Sequence, residues 1–495
     1  MDIKHSLKES ELTNHIGRFG FTLQAGKDEF IRQLETEWSS QPSVLKKRVE
    51  KILKLREKLV SDDPEFSIDY SDCKKVEQIL RKYKSTPESK IGEGQVFFTG
   101  EHTKILNHIP YFLTILVFLK VYVGPVLALF TPFFLFLMPW FILRYTMGMN
   151  MSWEVYMTMM KSMVFGIQGN TWTMKHYVQI LWTSVSIGQS MIQPMIAAYH
   201  TYKTDTLILQ RGEALIYFVK RGEEIFNTLR FRSIMPYHVK FPEVPTDPRE
   251  AAIWIDEEPL AMKRIWSLWG QIDILFTLAR NKEWKPVTFS NKPFRLSSFS
   301  DLAISEKRAV KSSVNLKSHA LLTGPNRGGK SSSLRAILQQ VFLGQTFGFT
   351  YSAEGSWTPF GAVFTRLKSK DHAGKESLFE MEVRMASHIL RSLSNNKKPS
   401  LVLIDELFHS TNPPDAETSA RIFLDQLWKH TNSKSIISTH IFSLCEEAYS
   451  ESSIIESLCC PATQGDPIEY SYRLEKGICR MSSVREVLKE AGLSD

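Results

Sequence analysis

Hydrophobic and polar positions change their rhythm three times along the chain, and each change predicts a different architecture. Residues 1–104 mix charged and apolar positions at helical spacing. From Val44 to Val60, Val49, Ile52, Leu53 and Leu55 recur among Lys and Arg as one helix face does. That helix suits a lipid surface, a DNA backbone or, most simply, packing against its own protein. Pro64, Pro87 and the Gly92–Gly94 turn mark the expected breaks in this region. Residues 105–202 are dominated by apolar runs. From Tyr111 to Leu143 the only charge is Lys120, and Val121–Leu143 is uncharged over 23 residues, longer than the roughly 20 residues a membrane helix needs. Pro125, Pro132 and Pro139 would break a helix in water but are tolerated in lipid, and Trp140 with Arg144 suits an interfacial anchor. A buried core helix is the other reading of this run. His176–Tyr202 is a second uncharged stretch, diluted by Gln179, Gln189, Gln193 and serines, that reads equally as a span or a buried helix. Two spans would leave both termini on one side with Arg144–Lys175 as the opposite loop. One span would separate residues 1–104 from the rest, and a re-entrant hairpin turned near Gly124-Pro125 is the third arrangement. Residues 203–285 return to helical periodicity over Leu207–Leu229 and Leu260–Ala279, as a connector would. Beyond 286, short apolar runs alternate with glycine-rich turns and helical segments, the pattern of an α/β domain.

The chemistry lies in this last region. Ala320-Leu321-Leu322 reads as a strand and runs into Gly324-Pro325-Asn326-Arg327-Gly328-Gly329-Lys330-Ser331, after which Leu334, Ile337 and Leu338 open a helix. Strand, glycine-rich turn and helix in that order build a loop whose backbone N–H groups cup a phosphate at a helix N-terminus. Lys330 would reach the β- and γ-phosphates and Ser331 would hold Mg²⁺. The continuous apolar run Leu401–Ile404 predicts a strand buried on both faces. It ends in Asp405-Glu406, which places one carboxylate for Mg²⁺ and a second to orient and deprotonate an attacking water. A further strand, Ser435–Thr439, delivers His440, a candidate γ-phosphate sensor.

Together these residues resemble the ATPase domain of the MutS family, the DNA mismatch-repair and recombination ATPases related to ABC-type ATPases. The similarity runs from about Gly270 onward. It takes in Asp273-Ile274-Leu275 with Ala279, Trp284 and Pro286, then Thr323–Ser331, in which Arg327 replaces the usual methionine. It continues through Phe364–Leu367 with Asp371 and Gly374, and through Ser377-Leu378-Phe379 with Glu382. Asp405-Glu406 with Thr411-Asn412-Pro413 and Asp415 follow, then Thr439-His440, Tyr472-Arg473-Leu474 with Gly477, and Ala491-Gly492-Leu493. The resemblance implies a P-loop domain with a mostly parallel central sheet, Mg²⁺-dependent ATP hydrolysis, and a homodimer sharing composite sites. It assigns ATP to Gly324, Pro325, Asn326, Gly328, Gly329, Lys330, Ser331 and Ser332, and lets Ser377 reach the ATP of the other subunit. Mg²⁺ falls to Ser331 and Asp405, and catalysis to Glu406, His440 and Lys330. Departures are Phe408-His409-Ser410, where a small Gly- and Arg-containing turn is usual, Lys368 in place of a glycine, and Glu376 beside the signature.

Composition narrows the setting. At 495 residues the chain has room for several domains, expected at 1–104, 105–202, 203–285 and 286–495. Its net charge of +8 suits phosphates of nucleic acid or of anionic lipid alike. Five cysteines without paired spacing suit a reducing compartment. Met1–Phe21 carries charges throughout, unlike a cleaved secretory signal. An N-terminal Phe-x-Glu mismatch-reading domain is not found, and dimerisation is expected to rest on the ATP sites. Three functions follow: a membrane-associated MutS-like ATPase with its ATPase domain on the cytoplasmic side and DNA as partner; a soluble intracellular clamp for mismatched DNA or recombination intermediates; or a membrane-remodelling or scaffold ATPase without nucleic acid.

Overall fold

The computed structural model describes residues 3–60, 68–82, 96–98, 100–109, 111–165, 173–231, 234, 239–290, 293–367, 377–451, 455–465 and 467–493. The breaks expected at Pro64, Pro87 and Gly92–Gly94, and the motif positions Lys368, Asp371, Gly374 and Glu376, lie outside them. Two compact units result. One comprises Met1–Asp69, Ile225–Val239 and Trp266–Asp495; the other, Tyr70–Glu224 and Lys240–Ile265. These limits do not fall at residues 104, 202 and 285. Long-range packing gathers the first 69 residues with the α/β region, and local periodicity does not register such contacts.

The first unit is built on a six-stranded sheet: β1 (His319–Thr323), β2 (Ala362–Arg366), β3 (Ser400–Ile404), β4 (Ser433–Ser438), β5 (Ile455–Cys459) and β6 (Glu475–Lys476). Its spatial order is β6-β5-β1-β4-β3-β2. Strands β5, β1, β4, β3 and β2 run parallel, and β6 pairs antiparallel with β5. Every residue of β1 and β3 is buried, which explains the apolar runs Ala320–Leu322 and Leu401–Ile404 within them. A four-stranded sheet of Thr288–Phe289, Glu354–Trp357, Phe294–Phe299 and Ser312–Leu316 belongs to the same unit.

Helices α1 (Ile3–Ser10), α2 (Gln24–Thr36) and α3 (Pro42–Val60) pack on α4 (Lys330–Phe347), the helix that follows the glycine-rich loop. α1 runs along the free edge of β2. Ser6 Oγ donates to Val363 O, Thr365 Oγ1 donates to Ser6 Oγ at 3.0 Å, and Leu367 N donates to Glu9 Oε2 at 3.2 Å. Asp273, fully buried, accepts from Thr22 N and Leu23 N and so fixes the start of α2. α3 is the amphipathic stretch at Val44–Val60. It buries Leu45, Ile52 and Leu55, while Arg48 donates to Thr346 O and Arg56 to Leu278 O, Ala279 O and Trp284 O. The Thr346, Leu278 and Ala279 carbonyls lie at helix C-termini, where basic side chains commonly bind. α3 is a packing helix.

In the second unit, Phe112–Leu129 is continuous helix, α-helical at both ends with a π turn at Leu119–Val123. The chain does not turn back at Gly124-Pro125; it breaks at Phe130, ahead of the short helices Thr131–Phe136 and Met138–Phe141. The N-terminal end of this stretch is tied down: Val117 packs with Ile208 and Ala252, and Arg249 binds both Thr114 Oγ1 and Asp205. Farther along, Phe118, Leu119, Val126, Leu127, Phe130 and Phe133 are exposed. Among the described residues Phe112–Leu129 is the one helix long and apolar enough to cross a membrane, with mean hydropathy 2.2 over 18 residues of which 11% are buried. The stretch His176–Tyr202 lies inside a 58-residue helix, Met174–Phe231, and falls short of that apolarity because of its glutamines and serines.

Candidate functional site

The carboxyl ends of the parallel strands bring the candidate residues together, where an open α/β sheet places its ligand. β1 ends at Thr323, and the chain turns through Gly324, at φ +144°, and Gly329, at φ +95°, before entering α4. A side chain at Gly324 would strike the Cys460 carbonyl, its Cβ falling 2.8 Å from that oxygen, so this turn requires glycine twice over. Lys330, buried, donates Nζ to Gly324 O at 2.7 Å and to Pro325 O at 3.2 Å, and stands 3.5 Å from His440 Nε2. Burial lowers its pKa, and Asp405 followed by Glu406 partly offsets that by favouring the ammonium.

Asp405 and Glu406 leave the end of β3 in a turn clamped from both sides. Asp405 N donates to Arg366 O of β2, Glu406 N to Ser438 Oγ and Leu407 N to Ser438 O of β4. The Ser438 hydroxyl in turn donates to Asp405 Oδ1. Glu406 sits at φ +56° and Phe408 at φ +50°, left-handed values uncommon for residues with a side chain. His440, just past β4, brings Nε2 to 3.9 Å from Glu406 Oε1. That imidazole, with His409 and Lys330 adding, holds the Glu406 carboxyl below the usual carboxylate range against its partial burial.

These groups face a cavity of about 600 Å³. Pro325, Asn326, Gly329, Lys330, Ser331, Ser332 and Glu406 line it, while Gly324 and Gly328 lie in the loop backbone. Asp405 adjoins through Ser438, and His440 through Lys330 and Glu406. Ser377 is elsewhere. It is exposed and caps α5 (Leu378–Asn395) in a reciprocal pair with Glu380, outside the cavity of its own chain. Asn412 plays the same part for α6 (Pro413–Leu427), its side chain accepting from Asp415 N at 3.0 Å, so this part of the family motif is a helix start.

Sequence reasoning missed that Phe299, Ile304 and Val310 line the cavity, and gave Tyr472 no place in it. Phe299 ends a strand, Ile304 and Val310 lie in the connection after it, and Tyr472 comes from a distant turn at φ +54° beside Gly329, so they share no local pattern. It also missed the role of Glu382. This buried carboxylate of α5 meets Arg366 of β2 at 2.5 Å, His409 Nδ1 at 3.0 Å and Ser410 Oγ at 2.7 Å. The altered segment Phe408-His409-Ser410 is thereby wired to the strand before the signature and to the signature helix.

Residues 320–495 match the family model described as MutS domain V. This region is similar to MutS domain V. Its relatives include the DNA mismatch repair protein MutS of Treponema pallidum subsp. pallidum, and the protein of the same description in Treponema pallidum strain Nichols. Each is 29% identical over 178 residues, covering 36% of this chain and 19% of the relative. The DNA mismatch repair protein MSH6 of Arabidopsis thaliana is 32% identical over 187 residues, covering 36% of this chain and 14% of the relative. The match therefore spans about a fifth or less of those proteins. The matched region holds the glycine-rich loop, the Asp405-Glu406 turn, His440 and Ser377.

Proposed function

We propose that this chain is a MutS-type ATPase that hydrolyses ATP with Mg²⁺, pairs its domains V around two nucleotides, is anchored in a membrane with domain V on the cytoplasmic side, and couples turnover to DNA. One observation carries the enzymatic part: Lys330, Ser331 and Glu406 line one cavity, with His440 within 4 Å of both Lys330 and Glu406. The loop N–H groups and Lys330 bind the phosphates; Glu406, kept ionised, orients the attacking water and accepts its proton; His440 stands between them. The residues fit the metal as well. Ser331 lines the cavity and Asp405, at the same sheet edge, is an oxygen donor of the hard type Mg²⁺ takes. Bound there, Mg²⁺ would neutralise phosphate charge. Ser377, exposed at a helix N-terminus, is free to contact the nucleotide of a second copy.

The membrane reading is supported by the exposed apolar helix Phe112–Leu129 and the exposed aromatic residues that follow it. DNA as partner is supported by the names of the relatives. A membrane ATPase without nucleic acid is the second reading. The family match covers residues 320–495, and the exposed apolar helix Phe112–Leu129 lies outside it. Mg²⁺-dependent phosphate release by the purified chain tests the proposal. Glu406→Gln is expected to slow turnover at least about a hundredfold while nucleotide still binds. Unchanged hydrolysis by that variant would overturn the assignment. Absence of DNA affinity even at low salt, with liposome binding retained, would select the second reading.

A further inference from the structure

The phosphate loop carries a cation that the reading above does not use. Arg327 lies at the tip of the loop at φ +69° and lines the same cavity as Lys330 and Ser331. Its Nη1 is 2.6 Å from Oε2 of Glu490, at the end of helix α7 (Val484–Glu490). Both side chains are about half exposed, at 49% and 55%. We propose that Arg327 is an additional phosphate contact that raises selectivity for the triphosphate over the diphosphate, and that Glu490 is the carboxylate it leaves to make that contact. The inference rests on the nucleotide reading of this cavity.

The fold holds Glu490 in place rather than leaving the pair to chance. Ser483 Oγ, at the start of α7, donates to Asn326 O in the loop itself at 2.9 Å. Glu486 of the same helix accepts from Ile468 N at 3.2 Å and from the Tyr470 hydroxyl. The Tyr470 ring neighbours that of Tyr472, which lies against Gly329. The segment from Ile468 to Glu490 thus crosses the phosphate loop and offers its arginine the Glu490 carboxylate, with the Glu486 charge acting on it more weakly.

An ion pair this exposed is weak, because water competes for both partners. A triphosphate concentrates several negative charges within one cavity, and its bonds to a guanidinium are charge-assisted and can be bidentate. The exchange from carboxylate to phosphate therefore runs downhill when the added charge is present. A γ-phosphate adds charge and acceptor oxygens that a diphosphate lacks. Release of Glu490 also removes one of the contacts of α7 with the loop, so this helix responds to which nucleotide is bound.

The experiment measures affinities of fluorescent ATP and ADP for the full chain in detergent, for wild type, Arg327→Met, Glu490→Gln, the double variant and Lys330→Ala. Arg327→Met is expected to weaken ATP about tenfold and ADP much less. Glu490→Gln frees Arg327 and is expected to tighten ATP about threefold to tenfold, an effect absent from the double variant. Equal ATP and ADP affinities in Arg327→Met and wild type would overturn the inference, as would a Glu490→Gln effect that persists without Arg327. If wild type binds nucleotide and Lys330→Ala does not, either of those results sinks only the role of Arg327. A wild type that binds neither nucleotide would sink the underlying reading with it.

Discussion

Ser438 does the most of any single side chain to hold the acidic turn. Its hydroxyl serves Asp405 and the Glu406 amide together, while the Glu406 backbone is kept in a left-handed conformation. Ser438→Ala is expected to lower kcat about tenfold or more with a smaller change in KM, because the carboxylates lose position rather than charge; steady-state kinetics checks this. A second residue-scale prediction concerns His319. It is fully buried on β1, with Nδ1 2.9 Å from Ser435 Oγ. Burial, reinforced by the charges of Lys434 and His430, pushes its pKa down to about 4. The unfolded chain binds that proton near pH 6.5, so between about 6.5 and 4 it holds more protons than the folded one and stability falls as pH drops. The loss reaches on the order of 3 kcal/mol at the acid end. Melting temperature against pH should be flatter in His319→Gln than in wild type. At this scale the sequence was most readable. Lys330, Ser331, Asp405 and Glu406 follow strands whose apolar runs are unmistakable, so their positions at the sheet edge were inferable. Ser438 and His319 were not, because their partners lie on neighbouring strands.

The elements around the site communicate through Glu382. One carboxylate joins β2, α5 and the turn after β3, and its side chain is 2% exposed. Breaking a buried ion pair leaves its partner's charge without compensation, so Glu382→Gln should destabilise the domain by about 3 kcal/mol. Arg366→Met combined with Glu382→Gln should cost less than the sum of the two, and thermal or denaturant unfolding of the four species measures the difference. The helices themselves were legible from their periodicity: Val44–Val60 is helical, as are Leu207–Leu229 and Leu260–Ala279. What each helix faces was not legible. Lysine and arginine in α3 suggested lipid or DNA, yet Arg48 and Arg56 turn inward to cap other helices. Charge on a helix says little about its direction when backbone carbonyls are available to receive it.

For the whole molecule, the decisive question is what covers Phe112–Leu129 and the aromatic residues beyond it. Exposed apolar surface of this extent is not left in water. The expressed chain is expected to stay with membranes through alkaline carbonate and to be released by detergent; recovery in the aqueous wash would favour the soluble clamp instead. The apolar run was plain in the sequence, but the assignment of the first 69 residues to the α/β unit was not, since every contact that makes it is distant in the chain. That assignment has a practical side. A fragment begun near residue 286 would appear from homology to contain all the chemistry, yet it would strip α1 from β2 and bare the Val363 carbonyl, the Thr365 hydroxyl and the Leu367 amide. An uncovered strand of this kind recruits another like itself, so the shortened protein should self-associate in solution even though its nucleotide loop is intact, and supplying residues 1–69 as a separate chain should suppress that behaviour.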